Sequence, residues 1–143
     1  MKCMISKSKV IVRYAETDQM GIAHHSVYPI WFELARTDLA KQAGFPYSKM
    51  EQAGVMTPLV ELQCKYRKPA HYEDELIVTA TVSKLSSVKI EFYYEVFLKN
   101  EDKPICTGTT THALVSSKSF HIINVKKEFP EIYSIMEKML ENS

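Results

Sequence analysis

The chain reads as an α+β fold in which a five-stranded antiparallel sheet curls around one long central helix, with a further helix at the C-terminus. Three features of the sequence predict this. The stretch from Ser26 to Gly44 is apolar around most of a helical circumference. From Val60 onward, apolar residues recur at every second position in one run after another. The turns between those runs are a few polar residues long, which only antiparallel neighbours allow.

In chain order, Val10, Val12 and Tyr14 alternate with Ile11 and Arg13 and predict a short first strand. It runs into a polar loop holding one carboxylate and two imidazoles, Asp18-Gln19-Met20-Gly21-Ile22-Ala23-His24-His25-Ser26. Ser26 suits the N-cap of the following helix, Pro29 falls in its first turn, and Gly44 and Pro46 stop it. At about 100° per residue, Val27, Ile30, Trp31, Phe32, Leu34, Ala35 and Leu39 cover an arc of roughly 200°, wider than the stripe of a surface helix. The first three turns are therefore expected to be buried on most sides. Asp38, Lys41 and Gln42 fall inside the apolar arc and mark where the helix emerges into solvent.

Tyr47 to Gln52 follows as one or two helical turns, broken by Gly54 and Pro58. Val60, Leu62, Cys64 and Tyr66 then oppose Glu61, Gln63, Lys65 and Arg67 in a strand that Pro69 ends. Leu76, Val78, Ala80 and Val82 form the next alternating set, and Leu85-Ser86-Ser87 reads as a hairpin turn. Val88 to Leu98 is the cleanest strand, Asn100 to Lys103 a polar turn, and Ile105 to Val115 a threonine-rich last strand. From about Glu128, Phe129, Ile132, Tyr133, Met136, Met139 and Leu140 recur at helical spacing, with Pro130 at the start. An almost all-round apolar helix and a one-sided sheet bury each other if the sheet wraps the helix.

At 143 residues the chain is long enough for one domain, 1–143, with its own core. A net charge of +1 calls for neither nucleic acid nor a membrane surface. Cys3, Cys64 and Cys106 are odd in number and lack metal spacing, which predicts reduced thiols in a cytoplasmic protein. The N-terminus has no apolar run long enough for a signal peptide, and no stretch is long enough to span a membrane.

The chemistry gathers before the helix. A carboxylate beside the free N–H groups of a helix start suits reaction at a carbonyl, where the base is Asp18 and the amides face developing oxyanion charge. Against this stands a plain turn-capping aspartate. Glu16, two residues away, is the rival base. His24 and His25 are adjacent, so they point different ways, and no other ligand completes a zinc set; no metal is expected. Glu33 and Arg36, at i and i+3, read first as a structural ion pair, with Glu33 holding a nucleophilic water as the lesser alternative. Ser26 lacks a nucleophile elbow and is excluded as a triad serine. Met20, Met50, Met56, Met136 and Met139 are core filler or acyl-pocket lining.

Tyr14-Ala15-Glu16-Thr17-Asp18-Gln19-Met20-Gly21, then His25, Tyr28, Trp31-Phe32-Glu33, Ala35-Arg36, Pro58 and Lys65-Tyr66-Arg67-Lys68-Pro69-Ala70 carry a further signal. This pattern resembles the acyl-CoA thioesterases of the 4-hydroxybenzoyl-CoA thioesterase type, over most of the chain. The resemblance implies the hotdog fold and hydrolysis of an acyl-CoA to free acid and coenzyme A, without a cofactor. It also implies that Asp18 is the catalytic carboxylate and that the backbone N–H of His25 polarises the thioester carbonyl. Val27 departs from the pattern where many relatives carry asparagine. Leu85-Ser86-Ser87-Val88 replaces a turn that in one relative carries basic residues for coenzyme A. The phosphates of coenzyme A then fall to cations near the sheet edge, with Lys65, Arg67, Lys84 and Lys89 as candidates and Lys118 or Lys126 as the alternative. Two other readings stand beside this one: a non-catalytic acyl-thioester binding module and a hotdog dehydratase.

The same resemblance implies a homodimer with shared active sites, or a dimer-of-dimers tetramer. Unpaired strand edges support it, since the long Val88–Leu98 run has no polar break and exposed edges are templates for pairing. Tyr93, Phe97 and the Met136–Met139 face are candidates for extending a dimer to a tetramer.

Overall fold

The structure is a computed structural model that describes residues 4–140; Cys3 lies outside them. The chain forms β1 (Ser6–Ile11), the long helix α1 (Tyr28–Gln42), α2 (Tyr47–Ala53), a short β2 (Val55–Met56), then β3 (Leu59–Tyr66), β4 (Glu75–Leu85), β5 (Lys89–Leu98) and β6 (Cys106–Ala113). A short β7 (Val115–Ser116), α3 (Val125–Glu128) and α4 (Pro130–Met139) complete it. The main sheet has five strands in the order β1-β4-β5-β6-β3, every pair antiparallel. The predicted α+β architecture, with a long helix against a five-stranded antiparallel sheet and a C-terminal helix, is the one observed.

Period-two patterning decides which face of the sheet is buried. Leu76, Val78, Ala80 and Val82 of β4 and Ile90, Phe92, Tyr94 and Val96 of β5 point inward and are buried. α1 lies against them with Tyr28, Trp31, Phe32, Ala35, Leu39 and Ala40. Phe32 stacks flat on Tyr94, with ring centroids 4.4 Å apart and planes 3° from parallel. It also covers Gly108 of β6, where a Cβ would come within 2.5 Å of the Phe32 ring and 2.6 Å of the Gln63 carbonyl oxygen. Glycine stands there because the helix comes too close for any side chain.

Several expectations need correction. β1 is Ser6–Ile11, with Ser6 and Ser8 buried rather than Tyr14; the Ser6 hydroxyl donates to the Ala35 carbonyl at 2.8 Å and the Ser8 hydroxyl to the Asp38 carboxylate. Tyr14–Glu16 is a 3-10 turn. Ser26 does not cap α1. It sits inside a 3-10 turn, His25–Val27, and the cap of that turn is the His24 ring, whose Nδ1 accepts from the Ser26 N–H at 3.2 Å. Ile30 and Leu34, expected inside, are 60% and 43% exposed.

α1 packs over β1 and β4 and far less over the other end of the sheet. β3 is therefore an edge strand exposed along almost its whole length, while β5, expected to offer an open edge, is central. In α4, Ile132, Met136 and Met139 face the core, so the Met136–Met139 face is already covered and is not free for tetramer contacts.

Candidate active site

The loop before α1 is held by its own backbone. The Asp18 N–H donates to the Ile22 carbonyl and the Gly21 N–H to the Asp18 carbonyl, each at 2.9 Å, closing a turn in which Gly21 has φ +80°. That left-handed value is why glycine follows Met20. The Ala23 N–H donates to the Ala70 carbonyl at 2.8 Å, pinning the loop beside the end of β3.

Within this frame Asp18 and His25 line one cleft of about 320 Å³, with Ile22, Tyr28, Tyr66 and Arg67. The Asp18 Oδ1 accepts from the Met20 N–H at 2.8 Å, the turn-capping role weighed above. Among the described residues this is the one hydrogen bond its carboxylate makes, so Oδ2 stays available. The Val27 N–H donates to the His24 carbonyl at 3.0 Å and fixes the His24–His25 peptide. The N–H of His25 then stands at the open end of the turn, where an intrahelical acceptor does not exist. The macrodipole of α1 lies behind it and favours negative charge.

Two aromatic residues complete the cleft, and sequence reasoning gave neither of them a role. The Tyr66 hydroxyl donates to the His25 carbonyl at 2.8 Å. Tyr28 packs edge-on against Tyr66, centroids 5.2 Å apart, and burial pushes its phenol up to about 12. The signal available was the phase of β3, since Tyr66 shares the inner face with Leu62 and Cys64. Beneath them the Cys64 thiol is pulled down to about 7 by its hydrogen bond with Cys106, whose own thiol is pushed up by the same contact and by burial.

Glu16 is not in this cleft. Its Oε1 accepts from the Arg13 N–H at 2.8 Å and its Oε2 pairs with the Arg13 guanidinium at 3.3 Å, so the rival carboxylate is spent on the preceding turn. Adjacency predicts that His24 and His25 point different ways; instead their rings lie side by side, centroids 4.1 Å apart with planes tilted by 31°. Glu33 and Arg36 do pair, at 3.8 Å.

The four candidate cations divide. Arg67 borders the cleft and, with Lys68, also an adjoining groove that includes Lys103. Lys84 and Lys89 meet in a separate cleft of about 540 Å³ at the β4–β5 turn. Lys65 lies on the outer face of β3 and lines neither.

Asp18, with one carboxylate oxygen unengaged, and His25, in the turn before α1, thus share one cleft beside a long helix packed on an antiparallel sheet. A family model described as "Thioesterase-like superfamily" matches residues 12–138, and the chain belongs to that family. It is an enzyme of the thioester-hydrolase class with the hotdog fold. Over 134 residues it is 38% identical to a Bacillus subtilis (strain 168) protein named "Putative acyl-CoA thioesterase YneP", covering 94% of this chain and 96% of that one. A "Putative esterase" of Aquifex aeolicus (strain VF5) is 38% identical over 121 residues, 85% of this chain and 91% of that one. Among solved structures, a DHNA-CoA thioesterase from Staphylococcus aureus superposes with a TM-score of 0.87 at 32% identity, covering 94% of this chain and 89% of that one.

Proposed function

We propose that the chain, 1–143 as a single domain, is a cytoplasmic acyl-CoA thioesterase that converts an acyl-CoA and water to free acid and coenzyme A. The observation that supports this is that Asp18, with one carboxylate oxygen unengaged, and His25, at the turn that opens α1, line one cleft. The carbonyl oxygen of the thioester accepts from the His25 N–H, and the α1 dipole stabilises the charge that develops on it. Asp18 supplies the other half, either removing a proton from the attacking water or adding directly to the carbonyl carbon. The thiolate of coenzyme A leaves toward Arg67 and Lys68, where a cationic groove adjoins the cleft. Lys84 and Lys89 serve the phosphates where a neighbouring subunit brings their cleft alongside. Among the described residues no helix is long and apolar enough to cross a membrane.

The working unit in this reading is a homodimer joined through β3. That strand is an unpaired end of the sheet, and Leu59, Val60 and Leu62 are exposed along it. An apolar edge of this kind is a template for pairing with a second copy.

The experiment is release of free thiol from a panel of acyl-CoAs, run with wild type and Asp18→Asn. Wild type should turn over part of the panel, and the variant should lose about 10²-fold in turnover with its melting temperature kept. Turnover unchanged in the variant would remove Asp18 from the chemistry; no turnover on any member would end the acyl-CoA reading.

A further inference from the structure

The cleft at Asp18 does not end at Arg67. Arg67 and Lys68 line it and also line a groove of about 580 Å³ on the outer face of the sheet, whose walls include Tyr93, Glu95, Lys103 and Thr107. Strand phase dictates this turn around the sheet edge. Period two puts Tyr66 on the inner face at the end of β3, so the next residue, Arg67, falls on the outer side. The Arg67 N–H donates to the Ile105 carbonyl at 2.8 Å and the Lys68 N–H to the same oxygen at 3.2 Å, which fixes both residues to the loop before β6. The Ile105 N–H donates in turn to the Val96 carbonyl at 2.7 Å, and the Glu101 N–H to the Leu98 carbonyl at 3.0 Å. Hydrogen-bonded backbone therefore frames the groove where it joins the cleft.

The two ends of the groove differ in chemistry. Toward the cleft it holds Arg67, Lys68 and Lys103. Lys68 pairs with Glu101 at 3.7 Å, while among the described residues Arg67 and Lys103 have no carboxylate partner. Cations left without partners suit phosphate, because a charge-assisted hydrogen bond is about twice as strong as a neutral one. The other end holds Tyr93, whose hydroxyl donates to Glu95 Oε2 at 3.4 Å. A carboxylate taking that one bond has acceptor sites to spare. An aromatic face beside such an acceptor suits a flat ring that carries an amine. Tyr66, Cys106 and Val96 stand in one row across β3, β6 and β5, and Tyr93 lies three residues along β5 from Val96. Two strand spacings and four residues of rise thus separate Arg67 from Tyr93, about 17 Å at the backbone, and side chains reach inward from both ends.

We propose that this groove binds the nucleotide half of coenzyme A, with the diphosphate on Arg67, Lys68 and Lys103, the adenine on the Tyr93 ring and the adenine amine donating to Glu95. The thiol carrier of the substrate is then coenzyme A itself and not an acyl carrier protein, whose phosphopantetheine has no base to stack. No passage through the core is needed. Arg67 and Lys68 belong to both cavities, so the pantetheine arm runs over the end of β3 along the surface. The two carboxylates of the groove do not oppose the phosphates: Lys68 neutralises Glu101, and Glu95 faces the base. The inference rests on the thioesterase reading, because the cleft at Asp18 fixes where the thioester lies.

The test presents one acyl group on coenzyme A, on pantetheine and on an acyl carrier protein to wild type, Tyr93→Ala, Tyr93→Phe and Lys103→Ala, and adds calorimetric binding of adenosine 3′,5′-bisphosphate. Wild type should prefer the coenzyme A thioester over the pantetheine thioester by at least about thirty-fold in kcat/KM, with the difference in KM. Tyr93→Ala should cut that ratio by about ten-fold, as loss of a stacked base does, and Tyr93→Phe, which keeps the ring, by no more than about two-fold. Lys103→Ala, at an exposed position, should cut it by about five-fold and make bisphosphate binding less sensitive to salt, and it decides the matter if Tyr93→Ala folds poorly. Equal kcat/KM on coenzyme A and pantetheine, preference for the carrier protein, or a ratio that Tyr93→Ala and Lys103→Ala leave intact would overturn the assignment. So would a ratio abolished instead by Lys84→Ala with Lys89→Ala. Binding of the bisphosphate separates the two readings: binding weakened by Tyr93→Ala without hydrolysis of any thioester keeps the groove and sinks the thioesterase, and hydrolysis with no nucleotide preference does the reverse.

Discussion

The Tyr66 hydroxyl donates to the His25 carbonyl oxygen at 2.8 Å, so the last residue of edge strand β3 is tied to the turn that opens α1. The bond joins two elements 41 residues apart and holds the peptide next to the amide proposed to polarise the substrate. Burial and the neighbouring Cys64 push the Tyr66 phenol up, so it remains a donor across the working pH range.

Tyr66→Phe should therefore lower turnover by about ten-fold, the equivalent of 1.4 kcal/mol, through a misplaced amide. The same change should cost only about 1 kcal/mol of folding stability, the net worth of one hydrogen bond. Steady-state kinetics would show the loss in kcat with KM for the substrate little altered. A loss confined to KM would show that Tyr66 contacts substrate directly.

Close approach of α1 to the sheet yields a stability prediction. Gly108→Ala places a methyl group 2.5 Å from the Phe32 ring and 2.6 Å from the backbone oxygen of Gln63. Backbone cannot yield as a flexible side-chain end does, and overpacking of this kind costs about 1–3 kcal/mol. For a chain of this size that is roughly 2–4 °C of melting temperature per kcal/mol, readable by calorimetry. Pairing the change with Phe32→Leu should recover part of the loss if the ring is the obstacle.

Acid should destabilise the fold through His112. Its ordinary pKa of 6.5 falls to about 4 in the native state, chiefly because burial disfavours the charged ring, with the Arg36 charge adding to the effect. The unfolded chain then binds more protons than the native one between those values, so stability is full above pH 6.5 and declines as pH falls toward 4. The total is about 3 kcal/mol at 1.36 kcal/mol per unit. Urea denaturation at pH 7.0 and at pH 4.5 should show this decline in wild type and a flatter profile in His112→Gln, which keeps hydrogen-bonding groups but does not titrate.

Much of this was legible in the chain. Strict alternation from Leu76 to Val82 and from Ile90 to Val96 marks faces that one sheet buries, and the all-round apolar start of α1 marks the helix they bury. Asp18 and His25 stood out because a polar loop runs straight into that helix, and they do share a cleft. What was hidden has physical causes. Ser6-Lys7-Ser8-Lys9 looks like surface, yet its serines face inward because their hydroxyls find Ala35 and Asp38 on α1. Glu16 and Asp18 looked equivalent by spacing, and only the Arg13 contacts separate them. The groove beyond Arg67 draws on residues from the end of β3, from β5 and β6 and from the loop between them, a convergence that no local pattern encodes.

Ile30 and Leu34 bring the last prediction. Periodicity predicts both as buried, and the single chain leaves both in water, as it leaves Leu59, Val60 and Leu62 on edge strand β3. Apolar surface that the pattern marks as interior, together with an apolar unpaired sheet edge, is the signature of an interface between copies. Antiparallel pairing of β3 with β3 of a second copy would complete the hydrogen bonding of the edge, continue the sheet across a two-fold axis and set the two α1 helices side by side. It would also bring the start of one β3 to the Tyr66 end of the other, so each catalytic cleft would gain a wall from its partner. Light scattering should give at least twice the 16.5 kDa of one chain. Leu62→Glu places like charges near the axis of that pairing and should shift the mass toward one chain and activity toward zero together, with the helix content by circular dichroism unchanged. Retained dimer mass in that variant would move the interface to the β1 edge, where Ile5 and Ile11 are the exposed apolar residues. A monomer with full activity would refute the shared site altogether.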